Sequence, residues 1–262
     1  METKGQTALI TGATSGIGYE LTKLFAQDKF NLILVARNEQ RLNEIAAELK
    51  STYQINVTVI PKDLANDSGA LEVYEETKRQ GLTVNILVND AGVGERGKFT
   101  ETDFQKELEI IHLNIISLTH LTKLFLKEMV SRNEGRILQL ASVASYQPTP
   151  LLAVYAATKA YVLSLTDALI HELKDTGVTM TALIPAPTDT DFFNKAHAEN
   201  TVAAHKADDP AMVAKEGYEA LLKGEHHATA SASVLAQVAM STTLPNEAVS
   251  AMAEKYMKED KK

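Results

Sequence analysis

Two residues four apart, Tyr155 and Lys159, offer the sharpest chemistry in this chain. On a helix, positions i and i+4 stand on one face, so a phenol and an ammonium would point the same way. A free phenol titrates near pH 10 and is a poor acid–base group at neutral pH; a neighbouring ammonium stabilises the phenolate and corrects this. Thirteen residues earlier, Ser142 follows the strand-like segment Gly135–Leu140, where its hydroxyl could hydrogen-bond a carbonyl as charge develops there. A tyrosine and a lysine at this spacing also occur on ordinary amphipathic helices, the tyrosine packed at a core edge and the lysine in water.

A second feature gives the pair its context. Thr11-Gly12-Ala13-Thr14-Ser15-Gly16-Ile17-Gly18 lies between a strand pattern and a helix pattern. Glycines there let the backbone approach a pyrophosphate, and the helix N-terminus offers free N–H groups and the positive end of a dipole. The spacing is G-x-x-x-G-x-G, which departs from the common G-x-G-x-x-G fingerprint, and a ligand-free tight turn would use the same glycines. The next strand pattern ends in Ala36-Arg37-Asn38, with Arg37 nineteen residues beyond Gly18. A carboxylate at that place would accept ribose hydroxyls, whereas arginine pairs with a 2′-phosphate, which favours NADP over NAD.

The elements that must hold these groups follow from the apolar pattern. Gln6–Thr11, Asn31–Ala36, Asn56–Ile60, Val84–Val88, Gly135–Leu140 and Val178–Ile184 read as strands buried on both faces. Between them, Gly16–Gln27, Glu39–Thr52, Ser68–Gln80, Thr102–Arg132 and Tyr155–Thr176 read as helices, with Gly177 expected to cap the last. Asp208–Leu222 reads as helical, and the Ala/Ser-rich stretch 228–239 as a seventh strand plus a short helix. Alternation of this kind implies right-handed βαβ units and a doubly wound, Rossmann-type α/β/α layering of a mainly parallel seven-stranded sheet. Residues 1–262 are expected to form one domain, with 185–208 a polar loop placed to serve the site, 208–262 a C-terminal extension, and 258–262 a charged, solvated tail.

The motifs together resemble the short-chain dehydrogenase/reductase family, from about Thr7 to Thr190, and its 3-oxoacyl reductase-like branch in the Thr14-Ser15 turn and Ala36-Arg37. The resemblance places the family's T-G-x-x-x-G-x-G on Thr11–Gly18 and its adenine-site aspartate on Asp63, beside Leu64. It places N-N-A-G on Asn89-Asp90-Ala91-Gly92, the helix asparagine on Asn114, the serine on Ser142, and the tyrosine and lysine on Tyr155 and Lys159. It implies that Tyr155 is the general acid in carbonyl reduction, that Lys159 lowers its pKa and holds the nicotinamide ribose, and that Ser142 orients the carbonyl. By the same resemblance Asn114 positions a water in a proton relay, and Pro185, Thr188 and Thr190 face the nicotinamide. Two positions depart from the pattern. Asp90 replaces an asparagine expected only to support the central strand, and Ala186 replaces a glycine where a positive φ would be strained.

The implied reaction is hydride transfer between NADP(H) and a carbonyl/alcohol pair of ketone, aldehyde or 3-oxoacyl type, with the protein supplying alignment and a proton source. A non-catalytic NADP-binding sensor or scaffold, and an NAD-dependent hydroxysteroid-type dehydrogenase, are the alternatives. A sugar-nucleotide epimerase or dehydratase shares the Tyr/Lys pair, but only about 70 residues follow Thr190, short of a separate substrate domain. Phe99, Tyr146, Leu151, Leu152, Phe192 and Phe193 lie on segments that could give the substrate site an apolar lining.

Composition excludes other classes. A net charge of −8 disfavours nucleic acid and anionic membranes as partners. The chain has no cysteine, so thiolate chemistry, disulfides and Cys-ligated zinc are excluded and a reducing cytoplasm is favoured. No apolar run nears the roughly 20 residues of a membrane span, and the N-terminus lacks a signal-peptide pattern. The seven histidines show no ligand spacing, so no metal is expected, and Ser142 lacks the setting of a hydrolase nucleophile. The helix Thr102–Arg132 and the one beginning at Tyr155 are expected, by the resemblance, to form homodimer or homotetramer contacts.

Overall fold

A computed structural model describes residues 5–229 and 232–260. Seven strands form one parallel sheet: β1 Thr7–Thr11, β2 Asn31–Ala36, β3 Val57–Pro61, β4 Ile86–Asn89, β5 Gly135–Leu140, β6 Val178–Leu183 and β7 His227–Ala228. Their order is β3-β2-β1-β4-β5-β6-β7, and every pairing is parallel. The chain therefore winds outward one way from β1 and then the other way from β4. That reversal opens a crevice beyond the carboxyl ends of β1 and β4, where Thr11 pairs with Asn89.

Alternate residues of each strand feed two separate cores. Ala8, Ile10, Leu32, Leu34, Ile86 and Val88 pack towards α1 (Gly16–Gln27), α2 (Glu39–Tyr53) and α9 (Pro210–Lys223). Leu9, Ile33, Val35 and Leu87 pack towards α3 (Gly69–Arg79), α5 (Leu118–Arg132) and the end of α6 (Ala153–Glu172). Burial on both faces explains the unbroken apolar strand sequences.

Four local readings need correction. The segment Thr102–Arg132 is not one α-helix: α4 (Phe104–Ile111) passes into a π-helical stretch, His112–Ser117, before α5. Gly177 does not cap α6, which ends at Glu172; its N–H instead donates to Asn133 Oδ1 at 2.7 Å. The 185–208 segment holds two short helices, α7 (Phe192–Lys195) and α8 (Val202–His205), and is closed by a bridge between Thr188 and Asp208. Ala186 does not take a positive φ, so the strain expected there is absent.

The 228–239 stretch starts with the last residue of β7 and continues, after residues 230 and 231, into α10 (Ala232–Thr243); those two lie outside the described residues. So do the first four residues and the last two of the charged tail. Finally, α11 (Asn246–Met257) folds back onto the 185–208 segment. Arg96 Nε donates to Met257 O at 2.8 Å, and Asp260 N–H donates to Asn200 O at 2.9 Å. Among the described residues, no helix is long and apolar enough to cross a membrane.

Candidate active site

The crevice is a cavity of about 1000 Å³, and most of the residues singled out above line it. At one end lies the glycine turn. Gly12 and Gly16 have φ of 72° and 55°, and a Cβ on Gly16 would stand 2.8 Å from Thr190 Cγ2. Larger residues would thus close the gap between the turn and the loop after β6. Ser15 at the start of α1 makes no side-chain cap, and no acidic residue stands in the first turn. The amides of Gly16 and Ile17 keep their donors at the positive end of the helix dipole, which is what an anionic pyrophosphate needs, while the Gly18 N–H is turned to Asp90.

Beyond β2, Arg37 lines the cavity and its Nη1 meets Glu109 Oε1 at 3.3 Å, an exposed contact that is easily given up. Arg41, four residues on, lines the cavity as well. The sequence reading missed it, although a second arginine one helical turn after the first was visible. Asp63 and Leu64 line the same end, with Asp63 Oδ1 accepting from Ala65 N–H at 3.0 Å. A dinucleotide carrying a 2′-phosphate fits this donor set.

The other end holds Ser142, Tyr155 and Lys159. Ser142 follows β5, and its hydroxyl lies near enough to the Tyr155 phenol to favour the phenolate, while accepting from Ala144 N–H at 3.1 Å. Tyr155 is the third residue of α6 rather than its first. Its ring lies against Phe192, with centroids 4.9 Å apart. Lys159 is 4% exposed; its ammonium donates to Leu140 O at 2.6 Å and lies 5.8 Å from the Tyr155 ring centroid. Ser145, not singled out in the sequence, ties the two segments together: its hydroxyl donates to Lys159 O at 2.8 Å and accepts from Ser142 N–H at 3.3 Å.

Electrostatics here is set by burial. Loss of water pushes the Tyr155 phenol up to about 12, partly opposed by the Ser142 hydroxyl, and the carboxylate of Asp90 raises it further. Burial draws Lys159 down to about 8, opposed by Asp90. Burial also raises Asp90 to about 7, against the pull of Lys159 and of the Gly18 N–H. The protein groups by themselves thus leave the phenol protonated at neutral pH.

Some expected residues stand elsewhere. Asn89 does not line the cavity; its buried amide donates to Thr122 Oγ1 and Gln139 Oε1, both at 3.0 Å. Gly18 lies behind the turn, packed on Gly12 and Asp90. Asn114, 1% exposed, has both its amide donors committed: it donates to Val93 O and Thr158 Oγ1, each at 3.0 Å, and accepts from Val93 N–H at 3.1 Å. It sits within the π-helical stretch, a feature often found at functional sites. Ala91, Gly92, Thr14, Ser15, Ile17, Pro185, Thr188 and Thr190 line the cavity as expected. Of the apolar residues considered for the substrate side, Leu152, Phe192 and Phe193 line it; Phe99, Tyr146 and Leu151 do not. Instead α10 and α11 supply Met240, Met252, Tyr256 and Met257, from a region whose sequence has no motif to mark it.

Comparison with known proteins agrees with this arrangement. A family model described as short chain dehydrogenase matches residues 6–201. An uncharacterized oxidoreductase of Staphylococcus epidermidis is 35% identical over 187 residues, 71% of this chain and 80% of that protein. A very-long-chain 3-oxoacyl-CoA reductase of Pyrenophora tritici-repentis is 38% identical over 181 residues, 67% of this chain but 52% of its own length. Among solved structures, a short-chain dehydrogenase from Sphingobium yanoikuyae in complex with NADPH superposes with a TM-score of 0.81 at 26% identity. That match covers 92% of this chain and 96% of the other.

Proposed function

The chain belongs to the short-chain dehydrogenase family, and from that premise we propose that it is an NADP(H)-dependent carbonyl reductase/alcohol dehydrogenase with Tyr155 as its proton donor and acceptor. The observation that carries this reading is the meeting of Tyr155, Ser142 and Lys159 in the cavity that also contains the glycine turn and Arg37. NADPH, when bound, supplies the hydride, and its oxidised nicotinamide adds a positive charge that lowers the phenol's pKa. The open amides of α1 and residues Thr14–Ile17 hold the pyrophosphate, Arg37 and Arg41 the 2′-phosphate, and Asp63 the adenine end. Thr188 and Thr190, with Pro185, face the nicotinamide.

In reduction, Ser142 donates a hydrogen bond to the substrate carbonyl oxygen as negative charge builds on it, and Tyr155 Oη passes its proton to that oxygen. Lys159 stabilises the phenolate left behind. Asn114 holds the strand-to-loop turn at Val93 with its side chain. The walls from α7, α10 and α11 exclude water and favour a bulky, apolar carbonyl compound.

A cytoplasmic location agrees with the cysteine-free composition. Assembly as a homodimer or homotetramer agrees with the exposed apolar residues Phe104, Ile116, Val130 and Tyr161 along α4–α6, and light scattering during gel filtration checks it.

Fluorescence titration and turnover test the reading together. NADPH is expected to bind at least tenfold tighter than NADH, with the preference lost in Arg37→Asp. Tyr155→Phe is expected to bind NADPH within about threefold of the native protein yet lose 10²–10⁴-fold in carbonyl reduction, roughly the general-acid contribution. Native turnover in Tyr155→Phe would refute the mechanism; tighter NADH binding would refute only the role of Arg37.

A further inference from the structure

Asp90 is a half-buried acidic group that the hydride-transfer scheme leaves without a task. It follows β4, and its backbone is fixed: Thr11 Oγ1 accepts from the N–H of Asp90 at 3.0 Å and of Ala91 at 3.1 Å. Its carboxylate lies under the glycine turn. Oδ2 stands 2.8 Å from where a Cβ on Gly12 would be, and a methyl on Gly18 would collide with it. The Gly18 N–H donates to the carboxylate, but Oδ1 is buried and has no hydrogen-bond partner. The cation acting on it is Lys159, whose Nζ stands 3.6 Å from a Cβ position on Gly92, two residues beyond Asp90. Among the described residues, Thr11 on β1 bonds its backbone N–H, α1 offers the carboxylate a backbone amide, and the titratable groups of α6 that act on it are Lys159 and Tyr155.

We propose that Asp90 is a positioning residue for the catalytic pair: from beneath the glycine turn, and without a direct ion pair, its carboxylate acts on the Lys159 ammonium that stands beside Gly92, keeps that lysine charged, and competes with the Tyr155 phenolate for the same positive charge. This rests on the reading of Tyr155 and Lys159 given above. Forming a phenolate beside an ionised Asp90 sets two negative charges against one ammonium. An uncharged residue at this position leaves the ammonium to the phenolate alone. The effect has one sign, whichever member of the cluster gives up its proton. Removing a fixed negative charge lowers every remaining pKa of a coupled group. The upward pull of Asp90 on both Tyr155 and Lys159 agrees with this.

The charge is best removed without disturbing the turn. Asp90→Asn and Asp90→Ser each keep an uncharged oxygen able to accept from the Gly18 N–H, and either one, once shown to be folded by circular dichroism, decides the matter. The first readout needs neither cofactor nor substrate: ultraviolet tyrosinate absorbance against pH, with the curve of the matching Tyr155→Phe protein subtracted. The Tyr155 titration is expected to move down by about one pH unit, a typical effect of one nearby charge. The second readout is kcat/KM for alcohol oxidation, which should rise by up to about tenfold between about pH 7 and 8, where Asp90 is ionised and Lys159 still charged, and should change little below pH 7, where Asp90 is protonated. A folded variant with the titration and the oxidation rate both unmoved would overturn the proposal. If no alcohol or carbonyl compound is turned over by the native protein, the function proposed above fails, and the tyrosinate curves still decide the role of Asp90.

Discussion

At the scale of single residues, the pair Tyr155–Lys159 was readable because four residues on a helix is a spacing with chemical meaning; the charge state of the pair was not. Sequence proximity suggested a phenol already lowered by the lysine. In the structure the phenol stands at about 12 and the lysine at about 8, because both lose water and because the Asp90 carboxylate disfavours a second negative charge on the phenol. A direction-dependent pH profile follows. Reduction needs the protonated phenol, so kcat/KM for a ketone should stay flat from pH 6 to 8, well below a phenol pKa of about 12. Oxidation needs the phenolate, so kcat/KM for the alcohol should climb about tenfold per unit over that range and level off once Lys159 loses its charge above about 8. Stopped assays at saturating cofactor measure both. An oxidation rate that falls as pH rises would contradict Tyr155 as the base.

At the scale of elements, strands were legible nearly to the residue because burial on both faces leaves only apolar side chains along them. Helix interruptions were not. The π-helical stretch His112–Ser117 has no glycine or proline to announce it, and the surrounding apolar spacing suits an unbroken helix. Its cause is tertiary: Asn114 is held by three hydrogen bonds to Val93 and Thr158, which ties the turn after β4 to α6. Asn89 shows the same limit, since a motif position told of importance without telling which side of the sheet its amide serves. The element-level role of Asn114 predicts a stability effect apart from any catalytic one. Asn114→Ala leaves the Val93 N–H and C=O without their partners in a part-buried setting, costing on the order of 1–3 kcal/mol. Urea unfolding should show a lower midpoint with an unchanged slope. Stability unchanged to within about 0.5 kcal/mol would mean that these bonds are replaced by water and that Asn114 is not the tie between β4 and α6.

At the scale of the whole molecule, two parts have different debts to the sequence. The sheet and its two helical layers are built from motif-bearing segments and were foreseen, and the glycine turn and Arg37 line one end of the cavity. The substrate end is closed by α7, α8, α10 and α11, whose composition is ordinary and whose positions depend on long-range ties such as Arg96 to Met257 O and His205 Nδ1 to Asp260 Oδ2 at 3.1 Å. Because α11 lies outside both sheet-covering cores, with Val249, Ala253 and Met257 its buried residues, a chain ending at Leu244 should keep its sheet and bind NADPH within about threefold. What it loses is apolar wall: Met252, Tyr256 and Met257 all line the cavity. Burying one such side chain contributes roughly 1.5–3 kcal/mol, so KM for a bulky apolar ketone should rise about ten- to a hundredfold, while KM for a small ketone such as acetone changes little. Steady-state kinetics on both substrates, beside a circular dichroism check of fold, separates this outcome from general collapse. Equal losses on the two ketones, or loss of NADPH binding, would show that α11 supports the whole site instead of shaping its substrate end.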